Sequence, residues 1–249
     1  ITDYLREMLS NRVVEVARSP LLWQSRLFTV PKKDTEKLRV ILDVSDLNDF
    51  VLCPHFKMLT LRDVKLLLPW GYYTVSLDLQ DGYWHVPIAP AKRPFLGFRY
   101  QGTDYWFRAL PFGLNIAPRI FSKLITAAVR VISARGIFVL AYLDDILVAA
   151  PSASLCADHL RIALEILSNL GWIVNLRKSR LVPSQSFQWL GLQWDLSLYQ
   201  CSLTDLTQIR IQKWILSLVT LPQISRRDIM RAQGPVSYTH LTLPTIAGV

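Results

Sequence analysis

Two apolar, β-branched runs, Ile137–Tyr142 and Ile146–Ala149, stand on either side of Leu143-Asp144-Asp145. Runs this short, separated by an acidic turn, read as the two strands of a hairpin. Both runs are apolar on both faces, so the carboxylates of Asp144 and Asp145 sit beside a core, which is costly unless something cationic compensates them. Asp-Asp is also ordinary turn chemistry, and alone it does not decide function. The pair does exclude a membrane span. The chain is 51% hydrophobic with mean hydropathy +0.25, yet no uncharged apolar run reaches the ~18 residues that a spanning helix needs. The richest stretch, Gly136–Ala150, is cut by the two Asp.

The remaining pattern supplies partners for that hairpin. Residues 3–18 have helical periodicity, with Thr2 or Asp3 as N-cap. Trp23–Pro31 and Leu38–Asp43 read as strands joined by a basic loop, Leu61–Leu68 as a helix, and Tyr73–Leu79 as an alternating strand. Phe95–Arg99 and Tyr105–Arg108 suggest a hairpin around Gln101-Gly102. Ala117–Ala134 is an amphipathic helix entered through Pro118, and Ala157–Leu170 a helix closed by Gly171. Trp172–Asn175 and Phe187–Trp194 read as one strand each, and Leu206–Leu221 as a helix. Strand, helix, hairpin, helix, strand is an α+β order, expected to give an antiparallel sheet backed by two helices.

The chain has 249 residues, enough for one large domain or two interleaved ones. Its 28 Lys and Arg outweigh 19 Asp and Glu, a net charge of +9 spread over both halves. Such a balance attracts polyanions, nucleic acid first among them. The three cysteines, Cys53, Cys156 and Cys201, are far apart and form no CxxC or Cys/His cluster. That argues against a disulfide framework or zinc site and suits a reducing, intracellular compartment, cytoplasmic or nuclear. A start at Ile1 with early charges reads as a fragment without a secretory signal. Residues 234–249 carry no Asp, Glu, Lys or Arg and read as a non-native tail, similar to read-through of a sequencing adapter.

A second carboxylate changes the weight of the first pair. In Thr74-Val75-Ser76-Leu77-Asp78-Leu79, Asp78 interrupts an apolar strand, where Asp is disfavoured. It is either an edge residue facing water or the third member of an oxygen-only cluster with Asp144 and Asp145. Such a cluster suits Mg²⁺, which binds through a few carboxylates and substrate phosphates. Two such ions ~4 Å apart serve phosphoryl transfer.

With these residues in view the chain resembles a reverse transcriptase. Tyr142-Leu143-Asp144-Asp145 matches that family's Y-x-D-D motif, and Leu77-Asp78 with Tyr83 matches its first catalytic motif. Leu110-Pro111-Phe112-Gly113-Leu114-Asn115-Ile116-Ala117-Pro118 matches the motif packed on the incoming nucleotide. Gly171, Asn175 and Lys178 match the motif after the Asp pair, and Trp189-Leu190-Gly191 the primer grip. Val30-Pro31-Lys32-Lys33 and the run from Arg39 to Asn48 match the fingers. The chain as a whole is most similar to DIRS-type (tyrosine-recombinase-bearing) or gypsy-type retrotransposons, and Asn175–Gly191 resembles the DIRS type more than lentiviral or gypsy-type enzymes. The chain departs from the family at Phe112, where retroviral enzymes often have Gln, and at Ser45, where many have Arg.

The resemblance implies a right-hand polymerase, with fingers at 1–53 and 86–116 and a ferredoxin-like palm at 54–85 and 117–195. The start of a thumb or connection would occupy 196–233. It implies RNA-directed DNA synthesis from dNTPs on a primed RNA or DNA template, with two Mg²⁺, or Mn²⁺ in their place. Asp78 and Asp144 would hold the metals with Asp145 more peripheral, and Lys178 would act as general acid. Lys32 and Arg39 would neutralise the triphosphate, the Asp81-Gly82 backbone would approach it, and Tyr83 would lie beneath the sugar, with Phe112 and Gly113 completing the pocket. Gly82 would owe its lack of a side chain to that approach. Two other readings stay open: a degenerate remnant that only binds nucleic acid, and a two-metal nuclease.

Overall fold

The computed structural model describes residues 1–31 and 38–219. In chain order the elements are α1 (Thr2–Ser10), β1 (Val14–Val16), β2 (Gln24–Pro31), β3 (Leu38–Asp43), α2 (Ser45–Asn48), α3 (Leu61–Leu67) and β4 (Tyr73–Asp78). Then come β5 (Gly97–Tyr100), β6 (Thr103–Phe107), α4 (Ala117–Ser133), β7 (Phe138–Tyr142), β8 (Asp145–Ala150) and α5 (Ala153–Asn169). The last are β9 (Arg180–Ser184), β10 (Ser186–Trp189), β11 (Leu192–Asp195), β12 (Gln200–Leu203) and α6 (Asp205–Val219). Short 3-10 turns span Gly82–His85 and Pro90–Phe95.

β4-α4-β7-β8-α5-β9 is a β-α-β-β-α-β unit, and its strands form an antiparallel sheet in the order β7-β8-β4-β9. This is the ferredoxin-like sheet. One face carries Val75, Leu77, Ile146 and Val148, which pack on Phe121, Ile125, Ala128 and Ile132 of α4 and on Cys156, Leu160, Ala163 and Leu167 of α5. Both helices present these residues at helical spacing of three and four, the stripe a core-facing helix requires. The opposite face carries Leu147 and Ala149, covered by Leu61, Val64 and Leu68 around α3 and by Phe187, Trp189, Leu192 and Trp194. β8 is therefore a central strand buried on both sides, which is why it reads as an unbroken apolar run. Residues Ile146 through Ala150 are at most 1% exposed. A change of register by one residue would exchange the two cores, so the register is strongly specified.

A five-stranded sheet, β1-β6-β5-β2-β3, is built from the chain before β4 and the hairpin after it. Its β2–β5 pair is parallel and its other pairs antiparallel. The third sheet, β10-β11-β12, covers the second core.

Several expectations are corrected. Trp172–Asn175 is not a strand: it forms an isolated bridge, Val174 to Leu79 just past β4, flanked by single backbone bonds to Asp78 and Gln80. Phe187–Trp194 is two strands, because Leu190 (φ 51) and Gly191 (φ 76) form a two-residue hairpin turn with both φ positive. The helix expected over residues 3–18 ends at Ser10, because Arg12 takes φ 55 and Val14–Val16 pairs with β6, and neither Thr2 nor Asp3 caps it, its N-cap being Ile1 without a side-chain bond. α5 starts earlier than expected because the Ser152 hydroxyl accepts from the Leu155 amide. The 234–249 tail lies outside the described residues.

Candidate active site

The acidic hairpin closes on the pair Tyr142 and Asp145, leaving Leu143 and Asp144 as a two-residue turn. Leu143 takes φ 52, a conformation that costs a non-glycine residue about 1–3 kcal/mol. Two contacts offset it: Leu143 packs against the main core, and the Leu79 amide donates to the Asp144 carbonyl at 2.9 Å. Across the β4–β8 ladder Asp78 stands directly opposite Asp145, and Leu77 opposite Ile146. Because Leu77 and Ile146 face the helices, Asp78 and Asp145 share the other face. The edge reading of Asp78 fails, since β4 lies between β8 and β9.

The end of β4 is held from a second side. The Asn175 amide donates to the Asp78 carbonyl at 2.8 Å, and the Asp78 amide donates to the Ser179 hydroxyl at 3.0 Å. That hydroxyl donates in turn to the Asn175 carbonyl. Ser179 is a support that sequence reasoning missed; its only signal was its place beside Lys178. The same loop brings the Lys178 ammonium 3.9 Å from the Asp78 carboxylate. Burial raises the Asp78 carboxyl above its ordinary range; Lys178 opposes this, while Asp144 and Asp81 add to it. Asp145 is pushed up to about 6, by burial first and then by Asp144 and Asp78. One exposed lysine does not offset the burial and mutual repulsion of these carboxylates.

Asp78 and Asp144 line a cleft of about 760 Å³ together with Asp81, Gly82, Tyr83, Phe112 and Lys178. Its floor is aromatic: the Tyr83 ring lies 5.0 Å from Phe112 and 5.3 Å from Phe121. Asp81 enters the 3-10 turn at φ 48. Gly82 is small for a different reason than expected. A Cβ there would lie 2.8 Å from Cζ of the fully buried Phe121 and 3.5 Å from Cβ of Asp144, so the nearest obstacle is α4 packing. Gly113 (φ +100) needs glycine on two counts, since a Cβ would also come within 3.0 Å of the Leu42 carbonyl.

The loop carrying Phe112 and Gly113 is fastened to α2 by two asparagines. Asn48 Nδ2 donates to the Gly113 carbonyl at 3.0 Å, and Asn48 Oδ1 accepts from the Asn115 amide at 2.9 Å. Asn115 Nδ2 donates back to the carbonyls of Asn48 and Val51. Nothing in the isolated strings announces this pairing of residues 67 apart.

Asp145 opens instead on a neighbouring groove of about 770 Å³, shared with Tyr142, Leu190 and the segment before α3. Leu190 and Gly191 form the β10–β11 turn, whereas Trp189 is core at 4% exposed, its carbonyl accepting from Trp194 Nε1. Lys32 lies outside the described residues, and Arg39 stands in β3 opposite Val30. Among the described residues no three His, Cys, Asp or Glu side chains are gathered tightly enough to hold a metal ion. The expected three-carboxylate cluster thus reduces to two hard oxygen donors on one cleft, Asp78 and Asp144, with Asp145 turned to the groove. Two carboxylates and open space for phosphate oxygens are the donor set that suits Mg²⁺.

The reverse transcriptase (RNA-dependent DNA polymerase) family matches residues 30–194. The chain belongs to that family. This reverse transcriptase chain is 28% identical over 197 residues to Protein P of duck hepatitis B virus (strain United States/DHBV-16), covering 75% of the chain and 24% of the relative. It is 30% identical over 153 residues to the retrovirus-related Pol polyprotein from transposon 412 of Drosophila melanogaster, covering 59% of the chain and 12% of that protein. The chain spans about a quarter of the length of the first of these relatives. In fold it is similar to the foamy viral protease-reverse transcriptase solved with double-stranded DNA (TM-score 0.79, 21% identity, 96% of this chain and 39% of that one). The same viral protein solved with an RNA/DNA hybrid gives a TM-score of 0.72 at 21% identity, over 94% of this chain and 30% of that one. No helix among the described residues of the reverse transcriptase chain is long and apolar enough to cross a membrane.

Proposed function

We propose that the cleft carries out template-directed DNA synthesis, transferring a nucleotidyl group from a deoxynucleoside triphosphate to a primer 3′-hydroxyl. The observation that carries this reading is the meeting of Asp78 and Asp144 at the mouth of a cleft floored by Tyr83 and Phe112. An acidic site beside an aromatic floor suits a nucleotide whose phosphates point one way and whose sugar and base stack the other. A nuclease has no need of that floor. Two Mg²⁺ ions, or Mn²⁺, held by Asp78 and Asp144 would activate the attacking hydroxyl and offset charge on the leaving pyrophosphate. Tyr83 lies under the sugar, where its ring excludes a 2′-hydroxyl. Lys178, whose ammonium lies 3.9 Å from the Asp78 carboxylate, would give a proton to the departing pyrophosphate. Lys32 and Arg39 would neutralise the triphosphate, a role that rests on the family motif they match.

The fingers then comprise 1–53 and 86–116, the palm 54–85 and 117–195, and the thumb begins within 196–233. Template and primer, RNA or DNA, run past the Leu190-Gly191 turn and the groove that Asp145 opens on. The wording of Asn175–Gly191 supports a DIRS-type retrotransposon origin, which a reading frame continuing into ribonuclease H and a tyrosine recombinase would bear out. The function is tested by primer extension on RNA and DNA templates with the wild-type chain and Asp144→Asn. Extension lost in the variant while template–primer binding persists is the expected result. Equal extension by both proteins would refute the role of Asp144, and wild-type binding without extension would favour the remnant reading.

A further inference from the structure

His85 is engaged through both ring nitrogens. Its Nε2 lies 3.2 Å from the backbone nitrogen of Ile173, which can only donate, so Nε2 accepts. The ring proton is therefore on Nδ1, which lies 3.2 Å from the Gly82 carbonyl and donates to it. The two partners belong to different parts of the cleft. Gly82 is in the turn that carries Asp81 and Tyr83, and Ile173 opens the segment that carries Asn175 and Lys178. The Ile173 carbonyl accepts from the Gln80 amide, just past β4, at 2.8 Å, and its amide is left for His85. The ring packs 5.1 Å from Trp172, Trp172 meets Phe121 edge-on, and Phe121 lies under both Gly82 and Tyr83.

We propose that neutral His85 is a positioning residue for nucleotide addition, clamping the Asp81–Tyr83 turn to the Ile173–Lys178 segment so that floor and lysine keep one geometry. The proposal rests on the polymerase reading of the cleft. A lysine or methionine could fill the space but could not both donate and accept. Protonation would put a hydrogen on Nε2 against the Ile173 amide and turn an attraction into a repulsion, so the clamp opens in acid. The surroundings favour the neutral ring: burial lowers its pKa below the ordinary 6.5, against the Gly82 bond and the charge of Asp81. Asp81 is the one charged group facing the ring from its own turn. α4 offers Leu124, Ala128 and Val131, and the loop before Ile173 offers Leu170 and Trp172, none titratable.

The test uses the full chain and two variants. Nitrogen NMR of the imidazole reads tautomer and titration, and amide exchange at Ile173 reads the clamp without any catalysis. The Nδ1–H tautomer, a midpoint below 6.5, and faster Ile173 exchange in H85A than in H85Q are expected. In primer extension, H85A should raise the dNTP KM about tenfold with template–primer affinity unchanged, and H85Q, which can donate and accept, should recover most of it. H85Q should also lose the part of the acid limb that belongs to His85, while any limb from Asp145 remains. An Nε2–H tautomer, unchanged Ile173 exchange, or H85Q behaving as H85A in both KM and pH profile would overturn the clamp. A chain that fails to extend primers yet shows the expected tautomer and exchange would sink the polymerase reading and leave the clamp standing.

Discussion

Replacing Asp145 by Asn should make the protein more stable at neutral pH while impairing the site. Burial, Asp144 and Asp78 hold the Asp145 carboxyl at about 6 in the folded chain, against an ordinary value near 3.8. The gap of about two pH units corresponds to roughly 3 kcal/mol at 1.36 kcal/mol per unit. Its sign follows from proton binding. Between about pH 4 and 6 the folded chain holds a proton that the unfolded chain has lost, so stability falls as pH rises through that window. Above about pH 6 the folded state carries the full cost of an ionised, crowded carboxylate. Asn has no charge to bury, so Asp145→Asn should be the more stable protein by about 3 kcal/mol at pH 8, shrinking below about 1 kcal/mol near pH 4. In a chain of this size that is a rise of roughly 6–12 °C in Tm at pH 8. Urea unfolding of both proteins at the two pH values measures it directly. Millimolar Mg²⁺ held by Asp78 and Asp144 should narrow the gap at pH 8, because cations there offset the repulsion that raises the Asp145 carboxyl. Equal stability at pH 8, or a gap independent of pH, would refute the account of Asp145 as a destabilising, ionised neighbour of Asp78 and Asp144.

Tyr83→Ala should raise ribonucleotide incorporation relative to deoxynucleotide, because it removes a steric block rather than an attraction; an unchanged ratio in a protein destabilised by roughly 3–5 kcal/mol would make Tyr83 core packing only. Asn48→Ala breaks its bonds to the Gly113 carbonyl and the Asn115 amide, which should cost about 1–3 kcal/mol and raise the dNTP KM through the loosened Phe112 loop. Denaturant melts with steady-state kinetics check both effects, and a variant as stable as wild type would show that the pairing of the asparagines is incidental. Template–primer affinity should fall steeply between about 50 and 200 mM salt, the slope on logarithmic axes scaling with the phosphates neutralised; a flat response would mean that the +9 charge plays no part in binding.

What the chain spells locally is also what it folds into locally. β4 starts at Tyr73 and runs to Asp78 as its alternation implies, α4 starts at Ala117 with Pro118 in its first turn, and the Asp144 turn joins two strands. These depend on periods of two and 3.6 residues and on turn chemistry, all contained in neighbouring residues. Asp78 and Asp144 stood out for the same reason, since an Asp in an apolar strand and a paired Asp in a turn are local anomalies, whereas Tyr83 was singled out only by the family resemblance. Tertiary structure decided the rest. That α4 and α5 cover one face of β8 and the β10–β12 sheet the other, that Trp189 is core while Leu190 forms the turn, and that Asp145 faces a different groove from Asp144 all depend on how the layers stack. The smallness of Gly82 answers to Phe121, 39 positions on, and the Phe112 loop is tied to Asn48 across 67 positions. Contacts at such separations are set by how sheets and helices stack, and no period in the chain encodes them.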